Sequence, residues 1–284
     1  MTDTTYLFAY FTGNGQSGMH LAHSEDGLSW RPLSDKAYIS PMQGLMRDPF
    51  LACGPDGVFR LVWTTDWESQ EIGYASSRDL LHWSEQRKLP VMAEHPATRN
   101  CWAPEMVYDA IRSDYLIFWA STIEGRFINE GETSEDGYNH RMWSVRTKDF
   151  ETFSSPEIFF DPGYSVIDAT LLQLPDHTWR LICKDERLSP ERKSLFVCQA
   201  PSPSGPFSKP SKPFTKAWVE GPACLQIDGW THVYYDVYRD GRYEGKRTKD
   251  FETWEDISDR ISFPEGARHG SIISAPRSLV DALQ

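Results

Sequence analysis

Short apolar runs separated by Gly, Pro, Asp and Asn recur along the whole chain, with Val, Ile, Phe, Tyr and Trp prominent in them. Runs at residues 58–64, 72–76, 115–120, 179–183 and 232–235 are β-branched and aromatic, short, and bounded by turn residues, which predicts strands. Only the last residues, Ser278 to Leu283, show a helical period. Several runs are entered by an acid: Asp48 in Met46-Arg47-Asp48-Pro49-Phe50, Asp168 in Val166-Ile167-Asp168-Ala169-Thr170, and Glu220 in Val219-Glu220-Gly221-Pro222. Glu105 holds a related place in Cys101-Trp102-Ala103-Pro104-Glu105. Three of these acids lie eight residues before a turn aspartate: Asp48 before Asp56, Asp168 before Asp176, Glu220 before Asp228.

A second marker recurs: Ser or Thr, any residue, Asp, an apolar residue, two more, then an aromatic. It is found at residues 24–30 (with Gly27 in the apolar place), 77–83, 147–153 and 248–254, with a degenerate copy at Pro203-Ser204-Gly205-Pro206-Phe207. Its aromatic residues, Trp30, Trp83, Phe153, Phe207 and Trp254, are spaced by 53, 70, 54 and 47 residues. Periods of this size, with about four strands in each, predict a β-propeller, and five markers predict five blades. The N-terminal strands (Tyr6 to Phe11, Met19 to Ala22) lack an inner partner, whereas Arg268 to Ile273 forms an inner strand with nothing after it. Pairing them completes a fifth blade and removes open edges. The expectation is one all-β domain over residues 1–284.

With 41 acids against 29 bases, the net charge of -12 opposes binding to phosphate backbones and anionic membranes, and no run approaches a membrane span. A neutral sugar is compatible with that field. The five cysteines (Cys53, Cys101, Cys183, Cys198, Cys224) are scattered and odd in number, without a Cys-x-x-Cys pair. A reducing, cytoplasmic location is the expectation; an exported form with its leader removed is the alternative.

If each acid begins its inner strand, the loops between second and third strands return to the acidic face. These loops, residues 12–18, 65–71, 122–141, 184–194 and 236–245, carry Asp66, Trp67, Arg126, Asn139, His140, Arg141, Lys184, Asp185, Glu186, Asp236, Tyr238 and Arg239. Asp48 alone would be read as a turn cap, and most of the aromatic residues as sheet core. Carboxylates in apolar strands are costly unless partnered, however, so three in matching places indicate a shared polar centre. Such a cluster suits a divalent cation or glycoside hydrolysis by a protonated acid opposite an ionised base. The close Asp/Asn/Gly ligand spacing of a cation loop is missing from the sequence.

These motifs, in order and at blade spacing over nearly the whole chain, resemble glycoside hydrolase family 43. Its members are five-bladed propellers that cleave arabinose-, xylose- or galactose-containing glycans with inversion. Arg47-Asp48-Pro49-Phe50 resembles the family's base motif, Trp102-Ala103-Pro104 its second-blade signature, Ile167-Asp168 its third-blade carboxylate and Glu220-Gly221-Pro222 its general-acid motif. The resemblance implies that Asp48 is the general base and Glu220 the general acid. Asp168 would then orient Glu220 and, as a like charge, keep it protonated near neutrality. Inversion implies a base–acid separation of roughly 6.5–9.5 Å. His269, in Arg268-His269-Gly270, matches a late histidine that in several members helps hold a central calcium ion through water; calcium is compatible with the resemblance and not demanded by it. A buried, hydrogen-bonded histidine is the alternative. Related fructose-transferring propellers begin with Asn-Asp-Pro-Asn and use Glu-Cys, and neither occurs here.

The expected activity is that of an exo-acting inverting glycosidase, foremost an α-L-arabinofuranosidase, because a long loop over the acidic face favours a pocket. A β-xylosidase, an exo-β-1,3-galactosidase, a catalytically silent sugar-binding propeller and a scaffold for protein partners are the alternatives. The candidate substrate-binding residues are Trp102, Phe50, Trp67, Arg126, His140, Arg141, Lys184, Asp185, Tyr238 and Arg268, with Tyr164 as a further stacking platform.

Overall fold

The computed structural model describes residues 4–127 and 134–284. The protein is an all-β, five-bladed propeller whose five sheets follow the order expected from the repeats. Blade one consists of Arg47–Cys53, Phe59–Thr64, Ile72–Ser77 and Arg87–Leu89. Blade two consists of Trp102–Asp109, Asp114–Ser121, Arg141–Thr147 and Glu157–Phe160. Val166–Gln173, Trp179–Asp185 and Ser194–Ala200 make blade three, and Glu220–Ile227, Trp230–Val237, Arg242–Thr248 and Glu255–Asp256 make blade four. Blade five joins the chain ends. Ala267–Pro276 pairs antiparallel with Thr4–Thr12, from Thr4 opposite Pro276 to Thr12 opposite Ala267, and His20–Ser24 and Arg31–Pro32 complete the sheet. The expected C-terminal helix is Arg277–Leu283, which buries Val280 and Leu283. No helix among the described residues is long and apolar enough to cross a membrane.

The recurring marker is a turn closed by its own side chains. In the copy at residues 77–83 the Ser77 hydroxyl accepts the Leu80 N–H (2.8 Å), and the Asp79 carboxylate accepts the Leu81 and His82 N–H groups (2.9 and 2.8 Å). Thr147/Asp149 and Thr248/Asp250 repeat the pattern. The apolar place has φ of +62° at Leu80, +59° at Phe150 and +61° at Phe251, which costs an L-residue about 1 kcal/mol and is offset by burying the side chain. In the first copy that place is Gly27, with φ +71°, and a Cβ there would lie 2.4 Å from Ile227 Cδ1.

Blade three departs from four strands at its degenerate marker, which lacks the aspartate. Pro210 and Pro213 cannot donate to a ladder. Ser208, Ser211 and Phe214 bond instead to the carbonyls of Gln199, Val197 and Leu195, and the hydroxyls of Ser208, Ser211 and Thr215 accept the corresponding N–H groups. The edge is satisfied without a regular strand.

Contacts divide the chain into two compact units. One comprises Met1–Trp63, Gly73–Arg87 and Gly221–Gln284; its cores gather Leu7, Leu21, Leu51 and Leu61, and separately Phe8, Trp30, Tyr234 and Tyr243. There the edge strands of blades five and one touch, the Ser271 hydroxyl accepting the Leu51 N–H at 2.8 Å. The other comprises Thr64–Ile72 and Lys88–Glu220, around Phe118, Met142, Val166, Leu181 and Phe196. In it the edge strands of blades two and three touch.

Candidate active site

Inner strands are irregular close to their starts, and the irregularity re-aims the side chains there. Pairing skips between Trp102 and Glu105, between Ile167 and Thr170, and at His269 between Arg268 and Gly270. These are β-bulges, which turn a side chain out of the strict alternation of a strand. Positive φ marks the same place in four blades: Asp48 (+49°), Ala103 (+47°), Asp168 (+53°) and Gly221 (+58°).

Asp48 and Asp168 therefore occupy equivalent positions, as their spacing to the turn implies. Glu220 does not: the equivalent residue is Gly221, and Glu220 corresponds to Arg47, Trp102 and Ile167. The equal spacing to Asp228 is produced by a shorter hairpin. In blades one and three, turns through Pro55-Asp56-Gly57 and Pro175-Asp176-His177 have only their last residue at positive φ, whereas Asp228 and Gly229 form a two-residue turn with both at positive φ. One residue fewer in the turn hides one residue of offset in the strand.

In the first unit, Asp48 Oδ1 lies 3.3 Å from His269 Nδ1, both side chains being largely buried. The imidazole packs on Gly221, where a Cβ would lie 2.5 Å from His269 Cγ. Arg268 Nε donates to Asp236 Oδ2 at 2.7 Å, and Asp236 is buried. The Phe11 ring contacts the guanidinium groups of Arg268 and Arg47, 5.6 and 4.8 Å from its centroid. Arg47 also donates to Asn14 Oδ1 at 2.7 Å, in the glycine-rich loop of residues 13–18. Asn14 joins this cluster without a motif to mark it, beside the Arg47 of the Arg47-Asp48-Pro49-Phe50 motif, and Gly15 is crowded against Arg47 Cγ and the Met46 carbonyl. Phe50 and Tyr238 are half-buried.

The second unit holds Glu220 and Asp168. Asp168 is buried at its bulge. Glu220 Oε2 lies 3.3 Å from Lys184 Nζ, and the same ammonium is 2.9 Å from Glu186 Oε2. Glu186 Oε1 accepts from Lys193 at 2.5 Å and from Ser134 at 3.1 Å, and Lys193 reaches on to Glu135. The lysine side chains are 3% and 1% exposed, so both bases of this ionic chain are buried, while Glu135 at its end is exposed. Glu135 is held below the ordinary carboxylate range: burial is the largest single influence and opposes the shift, but the Lys193 hydrogen bond and charge, a backbone N–H and the Ser134 hydroxyl together outweigh it. The sequence motifs lead one to expect a like charge to dominate around Glu220; an ammonium lies beside it, because strand alternation sends Lys184 and Asp185 to opposite faces. Lys193 and Glu135 escape sequence reasoning, since a lysine and a glutamate in loops carry no distinguishing signal.

Trp102 and Trp67 meet edge to face, centroids 5.7 Å apart, with the Trp102 indole N–H donating to the Trp67 carbonyl at 3.0 Å. Trp67 keeps 45% of its surface exposed, as a sugar platform requires. Behind Trp102 lie Tyr138 and His140, centroids at 4.8 and 5.2 Å. Burial lowers the His140 pKa to about 3, so the ring is neutral, with Nδ1 3.0 Å from Thr122 Oγ1.

Three candidates, Arg141, Asp185 and His140, are buried and engaged by other protein groups. Arg141 is fully buried, paired with Asp161 at 2.5 Å and bonded to Asn139 at 2.8 Å. Asp185 is buried and grips Arg187 through two bonds of 2.9 and 2.6 Å. That guanidinium covers one face of the Tyr164 ring at 3.8 Å. His140 is the neutral wall behind Trp102. Arg126 is exposed on the rings of Phe127 and Trp143 at 5.2 and 4.9 Å, while residues 128–133 of that loop lie outside the described residues.

A calcium site needs six to eight oxygen ligands. Around His269 the structure supplies an imidazole engaged by Asp48 and packed on Gly221. Among the described residues no group of three or more His, Cys, Asp or Glu is disposed to hold a metal. An ion held through water needs no such direct cluster, and no step below passes through one.

The family model of the probable glycosyl hydrolase domain related to family 43 matches residues 3–281. An α-L-arabinofuranosidase of Bifidobacterium longum subsp. longum is 23% identical over 158 residues, 48% of this chain; the match spans only 15% of that relative's length. Among solved structures, a thermostable family-43 glycoside hydrolase superposes with a TM-score of 0.61 at 16% identity, over 81% of this chain and 80% of its own. The α-L-arabinofuranosidase from Lactobacillus brevis gives 0.58 at 18% identity, over 77% and 74%. At these identities the superpositions establish the propeller fold; the family match does more, and places this chain among the family-43-related glycosyl hydrolases.

Proposed function

We propose that this chain is an exo-acting, inverting glycoside hydrolase with α-L-arabinofuranosidase activity on the side chains of plant polysaccharides or on oligosaccharides. The observation that carries the reading is the different environment of its two key carboxylates. Asp48 faces an imidazole from a bulge; Glu220 sits at the head of a charged chain that can accept its negative charge. Asp48 draws a proton from water as the water oxygen bonds to the anomeric carbon. The glycosidic C–O bond breaks with its electron pair on the leaving oxygen, which takes the proton of Glu220. An N–H tautomer of His269 Nδ1 would donate to the Asp48 carboxylate and keep it oriented and ionised. Asp168 acts with Glu220 as an orienting carboxylate. Trp67 and Trp102 offer apolar faces for a sugar ring, with Arg268 and Tyr238 as polar partners. The two arabinofuranosidase relatives support arabinofuranose, while exo-β-1,3-galactanases and a β-1,4-xylosidase among the solved structures keep galactose and xylose as the alternatives.

The test is a panel of aryl α-L-arabinofuranoside, β-xyloside and β-galactoside substrates, with Asp48→Asn and Glu220→Gln as controls. Turnover of the arabinofuranoside, reduced about 10²–10⁴-fold in each variant, supports the reading. No turnover of any substrate, or full activity in both variants, removes it.

A further inference from the structure

We propose that Lys184, held by Glu186 and Lys193, is a positioning residue that receives the negative charge left on Glu220 when its proton goes to the leaving group. The inference rests on the assignment of Glu220 as the general acid.

The geometry of the chain carries the argument. Five charged side chains are connected in one line: Glu220, Lys184, Glu186, Lys193 and Glu135. Three are acids and two are bases. With Glu220 protonated the line is neutral; when Glu220 loses its proton the line carries one surplus negative charge, next to Lys184. The ammonium is 2.9 Å from Glu186 and 3.3 Å from Glu220, so in the resting arrangement it leans towards Glu186. That bias leaves Glu220 able to hold its proton and leaves a donor within reach once the proton departs. Stabilisation that grows as charge develops lowers the barrier; stabilisation already complete in the ground state does not.

Lys193 extends the same control to the backbone of the acid. Its carbonyl accepts the Val219 N–H at 3.2 Å, immediately before Glu220, and its ammonium lies 5.9 Å from the Trp218 ring centroid. With the ammonium also joined to Glu186, one buried lysine fixes both the strand entry and the far end of the ion chain.

Among the described residues, other ionisable groups are packed around this line. Asp168 comes from the inner strand of blade three, and the Cys183 thiol is buried and held protonated by desolvation. His140 feels Glu186, Lys193, Lys184 and Arg99 but stays neutral through burial, and Asp185 points away to Arg187.

The experiment compares Lys184→Met, Glu186→Gln and Lys184→Arg by the pH profile of kcat/KM and by substrate leaving group. Lys184→Met should move the basic limb upward by about one pH unit or more, because the carboxylate loses its cation. Glu186→Gln should move it downward, since Lys184 is then free to pair with Glu220, and Lys184→Arg should restore a limb close to wild type. Lys184→Met should also lose at least about tenfold more activity on an arabino-oligosaccharide than on a dinitrophenyl glycoside, whose leaving group needs no proton. Unmoved limbs, shifts in the same direction, or equal losses on both substrates would overturn the proposal. If thermal unfolding shows that Lys184→Met does not fold, the downward shift in Glu186→Gln and the rescue by arginine decide. Glu220→Gln separates the two readings: without leaving-group dependence in that variant, the general-acid assignment itself fails.

Discussion

His269 Nδ1 and Asp48 Oδ1 are 3.3 Å apart, brought together by strands that lie more than two hundred residues from each other in sequence. The contact exists because blade five is built from both chain ends and its inner strand lies against that of blade one. A bulge at His269 and the left-handed backbone at Asp48 aim the two side chains at each other.

Gly221 is the residue that lets the imidazole take this position. Its φ of +58° and the 2.5 Å that would separate an added Cβ from His269 Cγ both oppose any side chain. Gly221→Ala should therefore destabilise the fold by about 1–3 kcal/mol and lower kcat/KM, read by urea denaturation and steady-state kinetics. Adding His269→Ala should recover the steric part of the stability loss but not the activity. Equal stability of Gly221→Ala and wild type would show that the ring does not pack there.

His140 makes a prediction about acid. Burial depresses its pKa from 6.5 to about 3, so between these values the unfolded chain binds a proton that the native state does not. Stability contributed by the neutral imidazole is present above the unfolded pKa and is lost as pH falls from about 6.5 towards 3. The slope should be about 1.4 kcal/mol per pH unit for this one group. Replacing His140 with Gln should flatten the dependence of unfolding free energy on pH by about one proton in that window. His232, lowered to about 4 mainly by burial, adds a second slope of the same sign that the variant leaves in place.

The blades, the joined ends and the terminal helix were legible because each rests on local chemistry. The Ser/Thr-x-Asp turns cap themselves, and the strands are β-branched and aromatic. The places of Asp48 and Asp168 were legible for the same reason, since both precede three-residue turns. The offset of Glu220 was not, because a two-residue turn restores the spacing that a shifted strand removes. Arg141 and Asp185 read as substrate ligands because charge in a loop suggests solvent; only the fold supplies Asp161 and Arg187 as their partners. The Glu220–Lys184–Glu186–Lys193 chain forms where Glu220 meets the end of Trp179–Asp185 and the loop that follows it, and no single segment announces it.

In the proposed reaction water attacks the sugar directly, activated by one carboxylate while the other protonates the leaving oxygen. Proton NMR of the first sugar released from whichever aryl glycoside is cleaved, recorded before mutarotation, tests this most directly. The anomer opposite to that of the substrate is predicted. Release of the same anomer would contradict the account, since it requires a covalent glycosyl intermediate in place of a water molecule.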